Sequence, residues 1–557
     1  MPPTTPTPVN RDEAPSRPPV RERGDACPGA LRLHSADDGR LARLRLPAGI
    51  LTHRQAQVLA EAAERLGDGH LDITSRGNIQ LRGLAASCGD ELGALLDEAG
   101  LLPSPEHERV RNIVASPLCG LDGSAAGDAQ SWARELDALL CASPAATALS
   151  GRFLFALDDG RGDVAALGAD VTLLARGDGA VTVHTGANRS GVRVAAADAP
   201  RAALLAAETF LTLAAASGSG AWRVRELPPG PGRELDGAVA RALARAGIGA
   251  PGDGGSGGFG GFGDGTSADG TPGDGGSGGF GDEASADGAP GDGTSADGGP
   301  GDGGSGGFGD EASADGGTGD GASADGGTGD GGSGGFGDEA SADGAPGDGT
   351  SADGAPGDGT SADGPAWPRS GPPAPGPTRS PDGTVALSVY APLGRLSAGQ
   401  WRLLLSAGAG GVRVTPWRGV VVPDLDPAAA DALLDRLRTA GLITDAGSPW
   451  HGVGACTGRP GCAKALADVR ADAAGALPAP GGRDALPVYW SGCERRCGHP
   501  GGAWVDVVAT AEGAYTVSVH DVREVHGPTP VATQRELAET IRTARKTTTT
   551  ATTAVTK

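Results

Sequence analysis

Four cysteines near the C-terminal end have the residue type and the spacing that could hold a metal centre. Cys456 and Cys462 form a C-x5-C pair, and Cys493 and Cys497 form a C-x3-C pair. Four thiolates in a loop-rich segment are ligands for a soft metal centre, either Zn2+ or an iron–sulfur cluster. Structural zinc sites have about two to four residues between paired ligands, so the first pair argues mildly against zinc. The spacing favours a cluster and leaves zinc or four unrelated cysteines open.

The N-terminal sequence bears on whether these thiols are reduced. It has no apolar stretch of the kind that an export signal needs, and acidic residues appear early in it. We therefore expect a cytoplasmic protein, a setting in which stable disulfides are rare. The chain also has no run of eighteen apolar residues, which predicts no membrane span. Cys27, Cys88, Cys119 and Cys141 are expected to be ordinary buried residues without a chemical role.

The net charge of −23 comes from one segment of the chain. Residues 246–367 contain 23 Asp and Glu and no Lys or Arg, so the other residues carry 46 acidic and 46 basic side chains. This neutral remainder predicts neither a nucleic-acid partner nor a membrane partner. The acidic segment repeats pieces such as GGSGGF and APGDGTSADG, which cannot bury enough apolar surface to fold. We expect it to be a disordered insert without function, although its recurring phenylalanines leave weak partner contacts open.

An internal repeat lies on either side of this insert. Thr74 and Thr415, for example, occupy matching positions at an offset of 341 residues. Each copy has an apolar β run, over Leu41–Leu46 and Val385–Tyr390, followed by a helix that begins after an N-cap, Thr52 or Ser397. Two alternating strands and a second amphipathic helix complete each copy. This β-α-β-β-α order is most of a ferredoxin-like unit, and two copies predict a duplicated fold with a pseudo-twofold axis.

The predicted fold class is therefore α+β, in a duplicated A–B–A′–B′ plan with two ferredoxin-like half-domains that the insert separates. Each half-domain is followed by an α/β segment, and the second of these segments contains the cysteine pairs. The expected divisions are a disordered tail (1–24), half-domain A (25–110), α/β domain B (111–246), the disordered insert (247–375), half-domain A′ (380–450), cluster domain B′ (451–545) and a disordered tail (546–557). Deleting residues 250–365 is expected to leave cluster content and activity largely intact.

Several motifs resemble those of the sulfite/nitrite reductase haemoprotein superfamily. They are the duplicated unit, the two cysteine pairs, the T-x-R-x-N-x-Q-x-R-G strand pair that begins at Thr74, and the RNIVASP stretch at residues 111–117. Within that superfamily, CPG at 27–29, GRFLFALDDG, AWRVREL and SGCERRCGHP look most similar to the precorrin-3B synthase family. The resemblance covers residues 25–246 and 380–525.

The resemblance implies a [4Fe-4S] cluster on the four cysteines, with a polycarboxylate tetrapyrrole beside it. Such a ligand needs several local cations, because an unpaired buried carboxylate is costly. The residues implied to bind it are Arg76, Asn78, Arg82, Arg111 and Arg152. Arg495 and Arg496 are further candidates by position. The alternative for each arginine is a solvated or purely structural role, and no catalytic residue is assigned.

Two reactions follow from the resemblance. Members of the precorrin-3B synthase family insert one oxygen atom of O2 at C20 of precorrin-3A and close an acetate side chain into a γ-lactone. The reductases hold sirohaem against the cluster and reduce sulfite or nitrite. Here Gly77 and Asn78 follow Arg76 where the reductases have Gln, and Arg152-Phe153-Leu154 stands where they have two lysines. Both departures favour the monooxygenase, with a sirohaem-dependent reductase as the alternative.

The remaining cofactor and partner expectations also come from the resemblance. The precorrin-3B synthase family is associated with an additional mononuclear non-haem iron, but no histidine spacing identifies its ligands. His451 and His499 flank the cysteines, and a structural role is expected for both. The folded portion lacks a G-x-G-x-x-G motif between a strand and a helix, so electrons are expected from NADH through a separate reductase or ferredoxin.

Overall fold

The computed structural model describes residues 25–250 and 371–546, apart from residues 26, 189, 408–409, 477–484, 501, 521–524 and 532–533. The tails predicted for residues 1–24 and 547–557, and nearly all of the predicted insert, lie outside the described residues. The described residues belong to one compact unit, which contains four five-stranded sheets.

Half-domain A begins with a hairpin and carries two helices. Its elements are β1 (His34–Ala36), β2 (Gly39–Leu44), β3 (Ile50–Leu51), α1 (His53–Leu66), β4 (His70–Ile73), β5 (Ile79–Leu84) and α2 (Gly89–Glu98). Helix α1 begins where predicted, because Thr52 and Gln55 form a reciprocal capping box. The strand predicted over Leu41–Leu46 ends two residues earlier, since Pro47 starts a tight turn after it.

Domain B is a mixed sheet covered by helices. Its elements are β6 (Ile113–Ala115), α3 (Ala129–Ala142), β7 (Phe155–Asp158), β8 (Val171–Ala175), β9 (Ala180–Thr185), β10 (Val192–Ala195), α4 (Ala199–Ser217) and α5 (Pro229–Arg245). The strand order in the sheet is β10-β9-β8-β7-β6. Strands β6, β7 and β8 are parallel, and β9 and β10 pair in antiparallel fashion. Strands β7, β8 and β9 are buried throughout, which explains their nearly continuous apolar sequences.

The second half of the chain repeats both architectures. Half-domain A′ contains β11 (Gly376–Arg379), β12 (Val385–Tyr390), β13 (Arg395–Ser397), α6 (Ala398–Leu405), β14 (Val412–Val414), β15 (Gly419–Leu425) and α7 (Pro427–Thr439). Domain B′ contains β16 (Val453–Ala455), α8 (Val469–Gly475), β17 (Val488–Ser491), β18 (Trp504–Ala511), β19 (Ala514–His520), β20 (Val525–Val531) and α9 (Gln534–Ala544). The first three strands of B′ are again parallel and the last two antiparallel. The duplicated fold class predicted from the sequence is confirmed.

The two half-domains exchange a strand. Strand β13 of A′ pairs with β4 and completes the A sheet, while β3 of A pairs with β14 and completes the A′ sheet. Equivalent turns lead into both exchanged strands, with Ala48 at φ 54° and Leu393 at φ 55°. One hydrophobic core runs through both half-domains. Neither half-domain therefore completes its sheet or its core without the other.

Among the described residues, no helix combines the length and the apolar character that crossing a membrane requires.

Candidate active site

One face of the A sheet is polar because the strands alternate. Leu44 on β2 and Ile79 and Leu81 on β5 point into the shared core. The residues between them face the other way: Arg43 pairs with Gln80 across the sheet, and the Arg43 Nη2 donates to Gln80 Oε1 at 2.7 Å. This polar face forms the floor of a cavity.

The cavity has a volume of about 710 Å³, counted with the solvent at its mouth. Half-domains A and A′ and domain B′ all contribute to its wall. The charged and polar side chains and the cysteines that line it are Cys27, Arg43, Arg45, Asp72, Thr74, Ser75, Arg76, Asn78, Gln80, Asn112, Arg418, Cys456, Thr457, Arg470, Tyr489 and Cys497. Asp72 is the one carboxylate against five arginines among the described residues of this wall.

Two of these arginines, Arg45 and Arg76, have no carboxylate partner among the described residues; Arg45 is buried and Arg76 is half-buried. Within the described part of the chain, Arg45 donates to the carbonyls of Arg109 (3.2 Å) and Gly151 (3.5 Å), and its Nη1 has no partner. Arg76 Nη1 donates to the same Gly151 carbonyl at 3.4 Å. Burial lowers the pKa of Arg45 to about 9, and Arg43 adds to this effect; burial also lowers the pKa of Arg76 to about 10. Both shifts have the direction expected for guanidinium groups whose desolvation is not offset by a directly paired carboxylate.

The opposite wall contributes Arg418 and Arg470 from the second half of the chain. Arg418 lies 5.5 Å over the Tyr489 ring, and its Nη2 donates to the Gly498 carbonyl at 3.2 Å. Arg470 reaches from the first turn of α8 to Asp72, with 3.1 Å between Nη2 and Oδ1. Its Nε and Nη1 are buried and have no hydrogen-bond partner among the described residues. Cations from both halves of the chain thus converge on the cavity.

The cysteine pairs meet at one edge of the B′ sheet. Parallel strands β16 and β17 run directly into Cys456 and toward Cys493, so their carboxyl ends bring both pairs together. Ligand sites commonly form at this edge of a parallel sheet. Cys456 and Cys497 line the cavity, and Tyr489 donates from its hydroxyl to the Cys497 carbonyl. The cysteine loops therefore face the arginine floor.

The environment of Cys456 fits a thiolate ligand of a cluster. The Gly492 amide donates a hydrogen bond to the Cys456 Sγ at 3.2 Å. Burial raises the pKa of this thiol, and the nearby thiols of Cys493 and Cys462 contribute to the increase. All four cysteines are free thiols. Neighbouring thiols are hard to deprotonate one by one in a buried place. A bound metal cation stabilises their thiolates and so favours loss of the protons.

The sulfur atoms of these cysteines are farther apart than the sulfurs that bind a single zinc ion. Tetrahedral zinc with Zn–S bonds of about 2.3 Å would hold its ligand sulfurs about 3.8 Å apart. Among the described residues, no three of these cysteines have sulfur atoms within 4.8 Å of one another, and the one trio of potential ligands that meets this limit is Asp158, Asp159 and Asp163. An iron–sulfur cluster spreads its ligands over several irons. Four neighbouring thiols are donors of the kind that hold an iron–sulfur cluster.

The aspartate trio lies in domain B and is already satisfied. Asp158 accepts hydrogen bonds from the Gly162 and Ala165 amides, and Asp159 is paired with Arg161 at 2.7 Å. Asp163 accepts a hydrogen bond from Ser116 at 2.6 Å. Hydrogen bonds and an ion pair within domain B therefore account for the three buried aspartates.

The structure separates the five predicted ligand-binding residues into two groups. Arg76 and Asn78 line the cavity. The Arg82 guanidinium is held by Asp38 at 2.8 and 3.0 Å, and Arg111 is held by Asp137 at 2.6 and 2.7 Å. Arg152 lies 5.1 Å over the Trp222 ring. These last three are absent from the cavity wall that the described residues form, and ligand binding by any of the five stays a prediction.

Arg82 nevertheless contacts the cysteine segment, because its Nη2 donates to the Gly461 carbonyl at 2.8 Å, next to Cys462. Of the additional candidates, Arg495 is exposed and Arg496 is paired with Asp506. His499 stacks on Trp504 with ring centres 4.8 Å apart, while His451 meets the edge of Tyr390.

Sequence reasoning missed four arginines of the cavity wall and Asp72. For Arg43 and Arg45 a signal was present, since they alternate with leucines along LARLRL and so share one face. Arg418 belongs to the loop that is equivalent to the predicted Thr74–Asn78 loop, which also offered a signal. Arg470 gave none, because a short helix in another domain places it.

The two half-domains differ at equivalent positions. Alignment through the matching turns places Ser388 opposite Val421, where A has Arg43 opposite Gln80. In A′ domain B covers this face: Leu118 and Leu121 pack against Ala386 and Val421, and Arg413 donates to the carbonyls of Pro117 and Cys119. The duplication therefore produces a polar cavity on the A sheet, while the equivalent face of A′ is filled.

Comparisons with known proteins agree with this architecture. A family model described as the nitrite/sulfite reductase ferredoxin-like half domain matches residues 34–99 and 377–440. These matches fall on the two half-domains that exchange strands. The NirA protein of Mycobacterium tuberculosis has a similar fold, with a TM-score of 0.56 at 16% identity over 90% of this chain and 79% of that protein.

Three relatives illustrate the sequence similarity. Ferredoxin–nitrite reductases of Leptolyngbya laminosa and Synechococcus elongatus are each 38% identical, over 102 and 127 residues, or 18% and 22% of this chain. A precorrin-3B synthase of a Sinorhizobium species is 33% identical over 154 residues, 28% of this chain. The matches span 20%, 25% and 33% of the respective relatives. The chain thus has two half-domains that are similar to the nitrite/sulfite reductase ferredoxin-like half domain, and its fold is similar to that of NirA.

Proposed function

We propose that this protein is an oxidoreductase that holds a polycarboxylate tetrapyrrole in the arginine-lined cavity, beside a [4Fe-4S] cluster on Cys456, Cys462, Cys493 and Cys497. The observation that carries the proposal is the arrangement of the cavity wall. Arg45, Arg76 and Arg418 have carbonyl rather than carboxylate partners among the described residues, and two of the cysteines lie in the same wall. A ligand with several carboxylates would supply the missing counter-anions.

The finer proposal is a precorrin-3B synthase-like monooxygenase that acts on precorrin-3A with O2. A bound cluster would supply single electrons. Arg45, Arg76 and Arg418 would pair with carboxylates of the ring. The position occupied by two lysines in the reductases has Phe153 and Leu154, which are buried, and Arg152, which lies on Trp222. Fewer cations for a small oxyanion, together with the 154-residue match to a precorrin-3B synthase, support this choice.

A sirohaem-dependent nitrite or sulfite reductase is the second candidate. It is supported by matches to several ferredoxin–nitrite reductases at up to 40% identity. Arg418, which donates to the carbonyl of Gly498 next to Cys497, would then be a cation on the cysteine side of the cavity. In both proposals the electrons come from a separate donor, either a ferredoxin or an NADH-dependent reductase.

The absorption spectrum of anaerobically purified full-length protein tests the proposal. A cluster with no tetrapyrrole gives a broad shoulder, with four irons and four sulfides per chain, and supports the monooxygenase. An intense sirohaem band supports the reductase. Zinc in place of iron would remove the basis of both. Iron beyond four per chain would be evidence for the additional mononuclear iron.

A turnover experiment then decides between the two reactions. The protein is mixed with precorrin-3A, a reductant and 18O2, and the product is analysed by mass spectrometry. The monooxygenase incorporates one 18O atom into the product. Unchanged precorrin-3A together with ammonia formation from nitrite would contradict it and support the reductase.

A further inference from the structure

Asp506 is a fully buried carboxylate in the sheet behind the second cysteine pair. It lies on β18, where Val505 and Val507 point into the B′ core. Asp506 therefore points to the opposite face of the sheet, the face that also carries Tyr489 at the adjacent position of β17. Tyr489 contacts Cys497 through its hydroxyl, so the loop with the second cysteine pair covers this face.

A buried carboxylate needs charged partners, and Asp506 finds one in this loop. Its Oδ2 accepts a hydrogen bond from Arg496 Nε at 2.6 Å and lies 3.2 Å from His520 Nε2. Its Oδ1 is buried and has no hydrogen-bond partner among the described residues. Removing a carboxylate from water costs several kcal/mol, so the pair with Arg496 is needed to keep Asp506 buried.

Arg496 makes this contact from a strained backbone conformation. It lies between Cys493 and Cys497 and has φ 47°, a conformation that residues other than glycine adopt with strain. Its Nη1 also donates to the Glu494 carbonyl at 3.0 Å within the same loop. The loop is thus attached to the sheet through a charged side chain that directly precedes a cysteine ligand.

We propose that Asp506 is a positioning residue for the Cys493–Cys497 loop and that the Asp506–Arg496 pair tunes the reduction potential of the cluster. This inference rests on the proposed cluster. Reduction adds negative charge, so a nearby cation favours it and a nearby anion opposes it. The wild-type pair is nearly neutral. Loss of one partner exposes the cluster to the charge of the other.

The pair therefore predicts shifts of opposite sign. Asp506→Asn leaves the Arg496 cation and raises the reduction potential. Arg496→Gln leaves the Asp506 anion and lowers it. The double variant restores neutrality and returns the potential close to the wild-type value. A purely structural contact would weaken the loop in both single variants without this reversal of sign.

The experiment uses full-length protein purified without oxygen. Iron and acid-labile sulfide per chain are measured first, and the cluster is then titrated with redox mediators and followed by absorbance and electron paramagnetic resonance. Arg495→Gln is the matched control: Arg495 is exposed in the same loop, so water and salt screen its charge, and its variant should shift the potential less than Arg496→Gln does. Arg496→Gly should shift the potential as Arg496→Gln does, because it removes the same charge while relaxing the backbone.

Opposite shifts with compensation in the double variant support the inference. Equal or same-sign shifts in cluster-containing variants overturn it and leave the proposed function intact. If Asp506→Asn does not fold, Arg496→Gln and Arg496→Gly remain decisive, and an unchanged potential in both overturns the inference. A wild-type protein without iron and sulfide would overturn the proposed function and this inference together.

Discussion

The indole nitrogen of Trp401 donates a hydrogen bond of 2.7 Å to the carbonyl of Ala56. Each residue is the fourth after its helix N-cap, Ser397 for Trp401 and Thr52 for Ala56, so the bond joins equivalent positions of the two repeats. Both are fully buried where α1 packs against α6. The pseudo-twofold relation is therefore asymmetric at this contact, with a donor on one side and an acceptor on the other.

Trp401→Phe should destabilise the protein by about 1 to 3 kcal/mol, because it removes the indole hydrogen bond to the Ala56 carbonyl and leaves a small cavity in the core. Chemical denaturation followed by far-ultraviolet circular dichroism measures the change. Trp450→Phe, at a partly exposed position, is the control and should have a smaller effect. Equal stability of Trp401→Phe and wild type would show that the bond contributes little to the contact between the repeats.

Cys456→Ala and Cys497→Ala should each lose most of the bound iron and acid-labile sulfide. A cluster that loses one of four thiolate ligands is held weakly. The matched control is Cys141→Ser, a partly exposed cysteine on α3 in domain B. Colorimetric iron and sulfide assays on anaerobically purified proteins give the result. Full cluster content in Cys456→Ala would remove this residue from the ligand set.

Arg76→Gln and Arg418→Gln should each weaken the binding of an octacarboxylate porphyrin by about tenfold to hundredfold, since a hydrogen bond to a charged group contributes about 1.5 to 3 kcal/mol. Uroporphyrin fluorescence measures the affinity. The thermal midpoint of ligand-free Arg76→Gln should not fall, because burial of Arg76 without a counter-anion is unfavourable and lowers its pKa to about 10.

Arg54→Gln is the control for porphyrin binding, because the exposed Arg54 pairs with Glu98 away from the cavity wall. An unchanged affinity in both cavity variants would mean that these arginines do not contact the carboxylates of the ligand.

The contribution of Asp163 to stability should fall as the pH rises from about 4 to about 7. Burial raises the pKa of Asp163 to about 7, with Asp158 and Asp159 adding to the effect. At Asp163 the folded protein therefore binds more protons than the unfolded chain between pH 3.8 and about 7, so this residue makes the free energy of unfolding decrease with pH. His184 acts in the opposite direction, because burial lowers its pKa to about 4. Asp163→Asn should flatten this slope and be more stable than wild type by about 2 kcal/mol above pH 7.

Thermal unfolding measured across this pH range tests the effect. Asp178→Asn serves as the control, because Asp178 is exposed and its pKa is lowered. The same slope in Asp163→Asn and wild type would assign the pH dependence to other groups.

Deletion of residues 251–364 should leave iron and sulfide content unchanged. This segment contains no cysteine, Lys or Arg, so it supplies neither a thiolate for a cluster nor a cation for a carboxylate. The same metal assays on the shortened protein provide the measurement. Loss of the cluster on deletion would show that the segment is required for assembly of the folded unit.

Local patterns were sufficient for the predicted fold class. The N-caps Thr52 and Ser397 and the alternating strands are short-range features of the sequence. Because the same patterns occur in both repeats, an element predicted in one copy supported the equivalent element in the other. The exchange of β3 and β13 was not predicted, because strands of two and three residues carry little periodic signal.

The sequence by itself determined the duplicated plan, the two cysteine pairs and the polar turn between β4 and β5 that contains Arg76 and Asn78. Only the tertiary structure decided which arginines face the cavity. Arg82 and Arg111 are paired with Asp38 and Asp137, which lie 44 and 26 residues away in the chain, while Arg470 arrives from another domain. Charge pairing depends on contacts between distant segments, and spacing along one strand cannot specify it.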